Sequence, residues 1–287
     1  MSAGSKSPQR FVHWPARQTV DAAPNQAPST SPPLRGEQGR ARTASMPASM
    51  PISRAVQARS AAQGPSRCLP RQAGLDSDAV RRGMVDKLRQ FGGFDERVLQ
   101  ALQEVPRHHF VDPGLAAQAY LDNALPIGYE QTISKPSVVA RGLDAALRAL
   151  APRANLGKVL DIGTGCGYAA AVTARIATEV YSVERIRALH DLARNNLRAL
   201  RVPNLRLILG DGMLGCPQGA PFDAIVSGAA ALTLPQAWLD QLAVGGVLIA
   251  PIGDPQQLLL YRKRSATKLD VLPLEGARFV PLKSGLT

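Results

Sequence analysis

Cysteine is scarce and long apolar runs are missing from this 287-residue sequence, and each lack excludes a kind of protein. Its three cysteines, Cys68, Cys166 and Cys216, are too few for a disulfide framework and show no zinc-binding spacing. We therefore predict a reducing, cytoplasmic location and no metal site. The sequence contains no run of about 18 apolar residues, which is the length needed to span a membrane. The N-terminus also lacks the apolar centre of a secretion signal.

Acidic residues are also few, with 22 Asp and Glu against 34 Lys and Arg. Residues 1–74 account for most of the imbalance, because they hold ten Lys or Arg against two acids, a net charge of +8. Only +4 of the total +12 is left for residues 75–287. A folded domain with so small a charge gives weak support for a specific nucleic-acid partner.

The basic segment 1–74 is predicted to be disordered. It contains ten prolines and ten serines but only two aromatic residues, and its apolar residues follow neither helical nor strand periodicity. Such a segment cannot bury enough surface to offset the loss of chain entropy on folding. We expect either a solvated linker or a tail that binds anionic surfaces loosely, followed by one folded domain over residues 75–287.

Helical periodicity opens the folded domain. Apolar residues recur every three or four positions, and a glycine pair or a proline ends each pattern. The first predicted helix has its N-cap at Asp76 or Ser77 and is ended by Gly92-Gly93, and the second begins near Asp95 and ends just before Pro106. The third runs from Ser137 to Leu150, with Pro136 near its first turn. The stretch LPIGYEQTISKP (125–136), just before the third helix, matches neither a helix nor a strand.

After residue 152 the pattern changes to short apolar runs that alternate with helical stretches. The runs are KVLDIG (158–163), VYSVE (180–184), LRLILG (205–210), FDAIVSG (222–228) and GVLIAPIG (246–253). Strands buried on both faces and separated by helices predict a doubly wound, Rossmann-like α/β sheet with helices on both faces. Two final runs have no helix-length spacer between them, so we predict an antiparallel C-terminal edge.

A glycine-rich loop, DIGTGCGY (161–168), follows the first of these strands and precedes a helix. Glycines allow a ligand to approach the backbone, and the helix start adds oriented N–H groups. A dinucleotide fingerprint would have glycine where Tyr168 stands, and a phosphate loop would have a lysine. The spacing resembles the first motif of class I S-adenosylmethionine methyltransferases. On that resemblance, the cofactor-binding residues are Asp161, Gly163, Thr164, Gly165 and Gly167.

Two more acids stand at the ends of the next strands. Glu184 follows Asp161 by 23 residues, where a carboxylate can accept hydrogen bonds from ribose hydroxyls. Asp211, before Gly212, can face an adenine edge. Each acid could instead cap the helix that follows it, but three acids at three consecutive strand ends favour cofactor binding. We therefore add Glu184, Asp211 and Gly212 to the predicted cofactor site.

The nature of the methyl acceptor is indicated elsewhere in the sequence. Enzymes that methylate amino groups carry an Asn/Asp-Pro-Pro-aromatic motif after the fourth strand, where this sequence has SGAAA (227–231). Cys166 lies within the glycine turn and Cys216 in a Pro-Gly loop, so both thiols are interpreted as small filler residues rather than as catalytic groups. Amino-group and cysteine-dependent RNA methylation are therefore disfavoured.

Seven segments occur in an order that resembles the protein-L-isoaspartate O-methyltransferase family. They are VPRHHFVDP (105–113), ALPIGYEQTISKP (124–136), LDIGTGCGY (160–168), YSVERI (181–186), GDG (210–212), APFDAIV (220–226) and RFVPL (278–282). The resemblance covers about residues 78–286. It implies N-terminal helices and a substrate segment over residues 75–150 and a cofactor-binding core over residues 151–287.

The resemblance also implies a reaction and its residues. The methyl of S-adenosylmethionine would pass to the free carboxylate of L-isoaspartyl residues in damaged proteins or peptides, and the family's active-site serine maps onto Ser134. Ile127, Thr132 and Ile133 would join Ser134 in binding the substrate. Ser134 or Lys135 would also stand at the start of the third helix, whose N–H groups could help to hold the carboxylate.

Several positions depart from the family pattern and leave alternatives open. Glu130 stands where the family often has glycine, and Lys135 where it commonly has glutamine, so the two could pair or could tune which flanking residues are accepted. Other readings are a class I enzyme for another carboxylate or small molecule, and a cofactor-binding interaction protein without catalysis. We expect a monomer with isoaspartyl proteins as partners, no specific nucleic acid and no membrane.

Overall fold

The computed structural model describes residues 18–21, 78–274 and 278–287. Its strands are β1 (Gln18–Asp21), β2 (Leu125–Gly128), β3 (Gln131–Ile133), β4 (Lys158–Ile162), β5 (Glu179–Glu184), β6 (Leu205–Leu209), β7 (Phe222–Ser227), β8 (Ala229–Ala230), β9 (Leu242–Ile252), β10 (Gln257–Lys263), β11 (Lys268–Pro273) and β12 (Val280–Pro281). Its α-helices are α1 (Asp78–Phe91), α2 (Glu96–Glu104), α3 (Pro136–Leu150), α4 (Tyr168–Arg175), α5 (Arg187–Arg198) and α6 (Gln236–Gln241).

Eight strands form one sheet in the order β1-β11-β10-β9-β7-β4-β5-β6. The five neighbouring strands β9, β7, β4, β5 and β6 are parallel. From β4 the chain adds β5 and β6 on one side, and then β7 and β9 on the other side of β4. Val159 of β4 packs in one apolar cluster with α3 and α4, whereas Leu160 and Ile162 pack in a second cluster with Trp238 of α6. The predicted doubly wound α/β sheet with helices on both faces is therefore confirmed.

The other end of the sheet is antiparallel, as predicted. Strand β10 pairs with β9 through Leu260 and Ile249, and β11 pairs with β10 through Val271 and Tyr261. Strand β1 then pairs with β11 in the antiparallel sense. At these four residues the structure differs from the disordered tail that the sequence predicts, because QTVD contains two β-branched residues that suit an edge strand. The rest of residues 1–74 lies outside the described residues.

Two helices begin the described part of the domain: α1 packs against α2, and α2 packs against α3. Asp95 is the N-cap of α2, where its side chain accepts a hydrogen bond from the Arg97 N–H at 3.0 Å. The apolar face of α2 buries Val98, Leu99 and Leu102, and each such side chain contributes about 1.5–3 kcal/mol when fully removed from water. The predicted helices thus occur within two residues of their expected limits, although the proposed caps Asp76 and Ser77 lie outside the described residues.

The stretch 125–136 is a short β-hairpin followed by the start of α3. Strands β2 and β3 pair in the antiparallel sense and are joined by Tyr129 and Glu130, whose φ angles are 54° and 58°. Hairpins favour this left-handed two-residue turn, but Asn and Gly are the residues that usually adopt it. The hairpin places Ser134 between the last residue of β3 and the first turn of α3.

Candidate active site

The glycine loop turns sharply at the end of β4. Gly163 has a φ of 86°, and the N–H groups of Gly163 and Thr164 both donate to the carbonyl oxygen of Val183 in β5, at 2.9 and 3.2 Å. Gly167, with a φ of 93°, is the N-cap of α4. These left-handed conformations favour glycine. The loop is therefore held beside β5 with its backbone close to the ends of the parallel strands.

Two of the loop glycines have different neighbours. A Cβ atom on Gly165 would lie 3.1 Å from the Cδ1 atom of Ile127, so the β2–β3 hairpin approaches the loop at this point. A Cβ atom on Gly167 would instead meet Leu197 at 3.1 Å and Ala193 at 3.3 Å, both on α5. Gly165 is thus placed to shape the site, whereas Gly167 allows the close packing of two helices.

Asp161 is buried at the end of β4 and belongs to a short chain of hydrogen bonds. Its Oδ2 atom accepts a hydrogen bond of 2.6 Å from the hydroxyl of Ser182, which lies 2.6 Å from the hydroxyl of Thr164. Burial raises the pKa of the Asp161 carboxyl to about 7; the Ser182 hydrogen bond lowers the pKa and the nearby Glu184 charge raises it. The Asp161 carboxyl therefore changes between its protonated and ionised forms near neutral pH.

Glu184 connects the end of β5 to the glycine loop. Its Oε2 atom accepts a hydrogen bond from the N–H of Gly165 at 2.9 Å, and its Oε1 atom accepts one from the N–H of Ile186 at 2.9 Å. An ionised carboxylate offers about four acceptor positions. Two positions are therefore left for hydroxyl donors, so the role as a cap and the predicted role in holding ribose are compatible.

Asp211 acts as a cap in this structure. Its Oδ1 atom accepts from the N–H of Met213 at 2.8 Å, and its Oδ2 atom accepts from the N–H of Gly285 at 2.7 Å. The adjacent Gly212 lines the cavity beside the glycine loop, while the Asp211 side chain does not. Contact between the Asp211 carboxylate and an adenine edge therefore stays a prediction.

Three cavities surround the hairpin and the glycine loop. The loop cavity, of about 350 Å³, includes Ile127, Glu184 and Gly212 in its lining. The inner cavity, of about 80 Å³, is lined by residues that include Ile133, Ser134, Asp161 and Thr164. The outer cavity, of about 470 Å³, opens beside Ser134, Lys135 and Phe279.

The three cavities meet at two residues. Thr132 of β3 and Gly228, just after β7, line the loop, inner and outer cavities alike. Gly163 and Gly165 line the loop and inner cavities, whereas Ser134 lines the inner and outer cavities. The structure therefore brings all the predicted site residues to one place except Gly167 and the side chain of Asp211. The loop and outer cavities therefore adjoin at Thr132 and Gly228.

Ser134 has a fixed backbone and an available hydroxyl. Its carbonyl oxygen accepts a hydrogen bond of 2.7 Å from Nη2 of Arg107. Within the described part of the chain the Ser134 hydroxyl has no protein partner, and the residue is half-buried. The side chain can therefore donate to, or accept from, a ligand at the boundary between the inner and outer cavities.

The start of α3 does not provide the anion site that the sequence suggests. Lys135 is the N-cap and makes no side-chain capping bond, and Pro136 has no N–H to offer. The next N–H, of Ser137, donates to Oδ1 of Asp122 at 2.8 Å, and the Ser137 hydroxyl donates to Oδ2 of Asp122 at 2.7 Å. Asp122 already occupies the helix start, so the role of Ser134 in holding the substrate stays a prediction that rests on its own hydroxyl.

Sequence reasoning missed two buried polar residues that support the site. Arg107 is fully buried, donates from Nη2 to the carbonyl oxygens of Ser134 and Asn123, and lies over the Tyr168 ring at 4.7 Å. Burial lowers the pKa of its guanidinium. Ser182 is fully buried in a central strand. Polar side chains inside apolar segments were the available signal, since buried polar groups need partners.

The parallel sheet, the glycine loop after β4 and the carboxylates at the ends of β4 and β5 together have the form of a class I methyltransferase. A family model described as protein-L-isoaspartate(D-aspartate) O-methyltransferase matches residues 79–287, so the chain belongs to that family. The resemblance that the sequence segments predict is confirmed.

Curated relatives and solved structures agree with this assignment. Protein-L-isoaspartate O-methyltransferase of Ralstonia nicotianae is 55% identical over 227 residues, which cover 74% of this chain and 71% of the relative. A protein of Cupriavidus necator described as protein-L-isoaspartate O-methyltransferase 2 is 58% identical over 210 residues, 69% of each chain.

Among solved structures, a protein-L-isoaspartate O-methyltransferase of Plasmodium falciparum in complex with S-adenosyl-L-homocysteine is 25% identical, with a TM-score of 0.62. The similarity covers 71% of this chain and 98% of that chain. A second solved structure, also described as a protein-L-isoaspartate O-methyltransferase, is 28% identical with a TM-score of 0.63. The similarity covers 72% of this chain and 67% of that chain.

Proposed function

We propose that this chain is a protein-repair enzyme that transfers the methyl group of S-adenosylmethionine to the free carboxylate of L-isoaspartyl residues in damaged proteins and peptides. The observation that carries the proposal is the position of Ser134, whose hydroxyl has no partner among the described residues and stands where the outer cavity meets the inner one. Membership of the protein-L-isoaspartate O-methyltransferase family supports the same reaction.

The residues around the loop cavity fit the cofactor. S-adenosylmethionine supplies an electrophilic methyl group on a sulfonium and carries ribose hydroxyls and an adenine. Glu184 has acceptor positions left for the hydroxyls, and Gly163 and Gly165 present backbone without side chains. Gly212 lines the far part of the cavity. We propose that these residues bind the cofactor and that Asp161 and Thr164 form the buried floor beneath it.

The substrate carboxylate needs orientation rather than deprotonation. A carboxyl group with an ordinary pKa near 4 is already ionised at neutral pH, so no general base is required. The hydroxyl of Ser134 donates a hydrogen bond to this carboxylate and directs one oxygen toward the inner cavity, and such orientation is a large source of rate. A neutral donor suits the task, because a strong cation would stabilise the ionised substrate more than the transition state.

Exclusion of water completes the arrangement. Opposite charges cancel as the methyl group is transferred, so a site with little water favours the transition state over the separated ions. Ile133 is buried, and Val139 and Leu143 of α3 line the inner cavity beside it. Thr132 lies at the junction of the three cavities, where it could contact both the cofactor and the substrate.

A transfer assay with paired peptides tests the proposal. Two peptides of identical sequence, one with L-isoaspartate and one with L-aspartate, are incubated with S-adenosylmethionine labelled in the methyl group. We expect label only in the isoaspartyl peptide, as an ester that mild base releases as methanol. Equal labelling of both peptides would assign another acceptor, and tight cofactor binding without transfer would make the chain a non-catalytic binding protein.

We propose that the protein acts in the cytoplasm and as a monomer, in line with its sparse cysteines. None of the helices in the described part is both long enough and apolar enough to cross a membrane. Light scattering of the purified chain would measure the oligomeric state directly.

A further inference from the structure

Positively charged side chains line the outer cavity beside Ser134. Lys135, Arg141 and Arg278 contribute to its lining, together with residues that are all uncharged. We infer that this cavity selects isoaspartyl peptides whose flanking residues are acidic. The inference rests on the proposed function, because it concerns which isoaspartyl substrates that function accepts.

Among the described residues, no acid lines the outer cavity beside Lys135 and Arg278. Lys135 and Arg278 form no ion pair within the described residues, and both side chains are exposed. Asp122 bonds to Ser137 through both of its oxygens and does not line the outer cavity. Glu130 lies at the turn of the hairpin and lines the loop cavity instead. A peptide in the outer cavity therefore meets cations rather than carboxylates.

The two exposed cations stand on anchored backbone. The carbonyl oxygen of Lys135 accepts hydrogen bonds from Val138 at 3.1 Å and Val139 at 3.2 Å at the start of α3. Arg278 directly precedes Phe279, whose N–H and carbonyl groups bond with the Gln256 side chain at 2.9 and 3.1 Å. Because the backbone is held at both positions, the charges of Lys135 and Arg278 stay near Ser134 in the outer cavity, although their side chains can rotate.

The size and position of the outer cavity suit residues on either side of the damaged one. Its volume of about 470 Å³ exceeds that of a single side chain, and Ser134 marks only one part of its wall. An acidic flanking residue would gain exposed charge pairs, each of which contributes modestly. Charges at the rim of a site act mainly on association. The preference should therefore appear in kcat/KM at low salt, with kcat little changed.

Three peptides that differ only in the flanks of one L-isoaspartyl residue test the inference. The flanks are Glu, Gln or Lys; Glu is used as the acidic residue because, unlike Asp, it cannot itself form isoaspartate. For the unmodified enzyme we expect kcat/KM to be about three- to tenfold higher with Glu flanks than with Lys flanks. The ratio should approach one in about 0.5 M salt, where charges are screened.

Charge-reversal variants assign the preference to the cavity. Lys135→Glu and Arg278→Glu should each reduce or invert the ratio between the Glu-flanked and Lys-flanked peptides. Lys87→Glu is the matched control, because Lys87 is exposed on α1 and lines no part of the outer cavity; its ratio should equal that of the unmodified enzyme. Lys135→Gln and Arg278→Gln provide milder replacements if a reversal impairs folding.

The outcomes separate this inference from the proposed function. Failure to methylate any of the three peptides would refute the proposed function. Methylation of all three with equal kcat/KM by the unmodified enzyme would overturn the inference and leave the function intact. A ratio that responds to Lys87→Glu as strongly as to Lys135→Glu would assign the effect to overall charge, which would also overturn it.

Discussion

The Nη2 atom of Arg107 lies 2.7 Å from the carbonyl oxygen of Ser134, and the guanidinium lies 4.7 Å from the centre of the Tyr168 ring. A single buried side chain therefore links the residue that follows the β2–β3 hairpin to the first residue of α4, at the end of the glycine loop. Its Nε and Nη1 atoms, together with the Tyr168 hydroxyl, have no hydrogen-bond partner within the described residues. A buried charge with incomplete pairing costs stability, so its presence indicates a positioning role at this site.

Replacing Arg107 should separate activity from stability. Arg107→Met keeps the length of the side chain but removes the charge and the donor to Ser134. We expect kcat to fall by about tenfold, because Ser134 loses its anchor, while the free energy of unfolding changes little, because removal of an incompletely paired buried charge offsets the loss of the donor to two carbonyl oxygens. Peptide methylation kinetics and urea unfolding measure the two effects.

Arg107→Lys serves as the conservative control for this prediction. It restores a charge and one donor, so it should recover part of kcat without restoring the fork geometry of the guanidinium. A parallel loss of kcat and of stability in Arg107→Met, with no recovery in Arg107→Lys, would show that Arg107 serves only the fold.

Removing the Ser134 hydroxyl should impair turnover specifically. A hydrogen bond to a charged group contributes about 1.5–3 kcal/mol, which corresponds to roughly a 10- to 100-fold loss of kcat/KM on an isoaspartyl peptide. Cofactor affinity should stay nearly constant in Ser134→Ala, because Ser134 does not line the loop cavity. Titration calorimetry with S-adenosyl-L-homocysteine and steady-state kinetics measure the two quantities.

Ser265→Ala is a suitable comparison for Ser134→Ala. Ser265 lies in the turn between β10 and β11, where its hydroxyl accepts only a local hydrogen bond from the Thr267 N–H. Its kinetics should match those of the unmodified enzyme. An unaltered rate in Ser134→Ala would remove Ser134 from the proposed mechanism, whatever the control shows.

The buried Asp161 makes stability depend on pH. Its carboxyl has a pKa of about 7 in the folded chain because burial disfavours the charge, whereas the unfolded chain has the ordinary value near 4. Between about pH 4 and pH 7 the folded state binds more protons than the unfolded state. By linkage, the contribution of Asp161 to the free energy of unfolding falls as pH rises through this range and is constant above it.

Comparison with Asp161→Asn isolates that contribution. The amide cannot ionise, so the difference in the free energy of unfolding between the unmodified protein and the variant should shift by a few kcal/mol, on the order of 1–4, between pH 5 and pH 8. On going from pH 5 to pH 8, the free energy of unfolding of the unmodified protein should fall relative to that of the variant. Urea unfolding at the two pH values measures it; parallel pH dependence in both proteins would contradict the assignment.

The strand ends and the acids at them are predictable from sequence because local patterns determine them. Asp161 and Glu184 follow short apolar runs, and parallel strands bring such residues to one edge. Arg107 differs, because its partner Ser134 lies 27 positions later and only the tertiary fold brings them together. The β2–β3 hairpin was not predicted either, because its turn residues Tyr129 and Glu130 adopt a left-handed conformation that is usually indicated by glycine in the sequence.

Removal of residues 1–74 should leave peptide methylation nearly intact. The deletion takes away β1, which lies at the edge of the sheet and is separated from β4 by β11, β10, β9 and β7. Because the site lies at the ends of β4 and β5, we expect kcat/KM to change by no more than about twofold. The thermal midpoint should fall slightly, because β11 loses its only antiparallel partner on that side.

Deletion of residues 1–17 is the matched control, because it keeps β1 while removing the chain before it. Its thermal midpoint should equal that of the full chain, and the difference between the two deletions then reports on residues 18–74. The remaining edge strand β11 carries Lys268 and Asp270, and charges on an edge discourage pairing with another chain. Both proteins should therefore stay soluble enough for kinetics, and a large loss of kcat/KM in the longer deletion alone would give residues 18–74 a part in the enzyme.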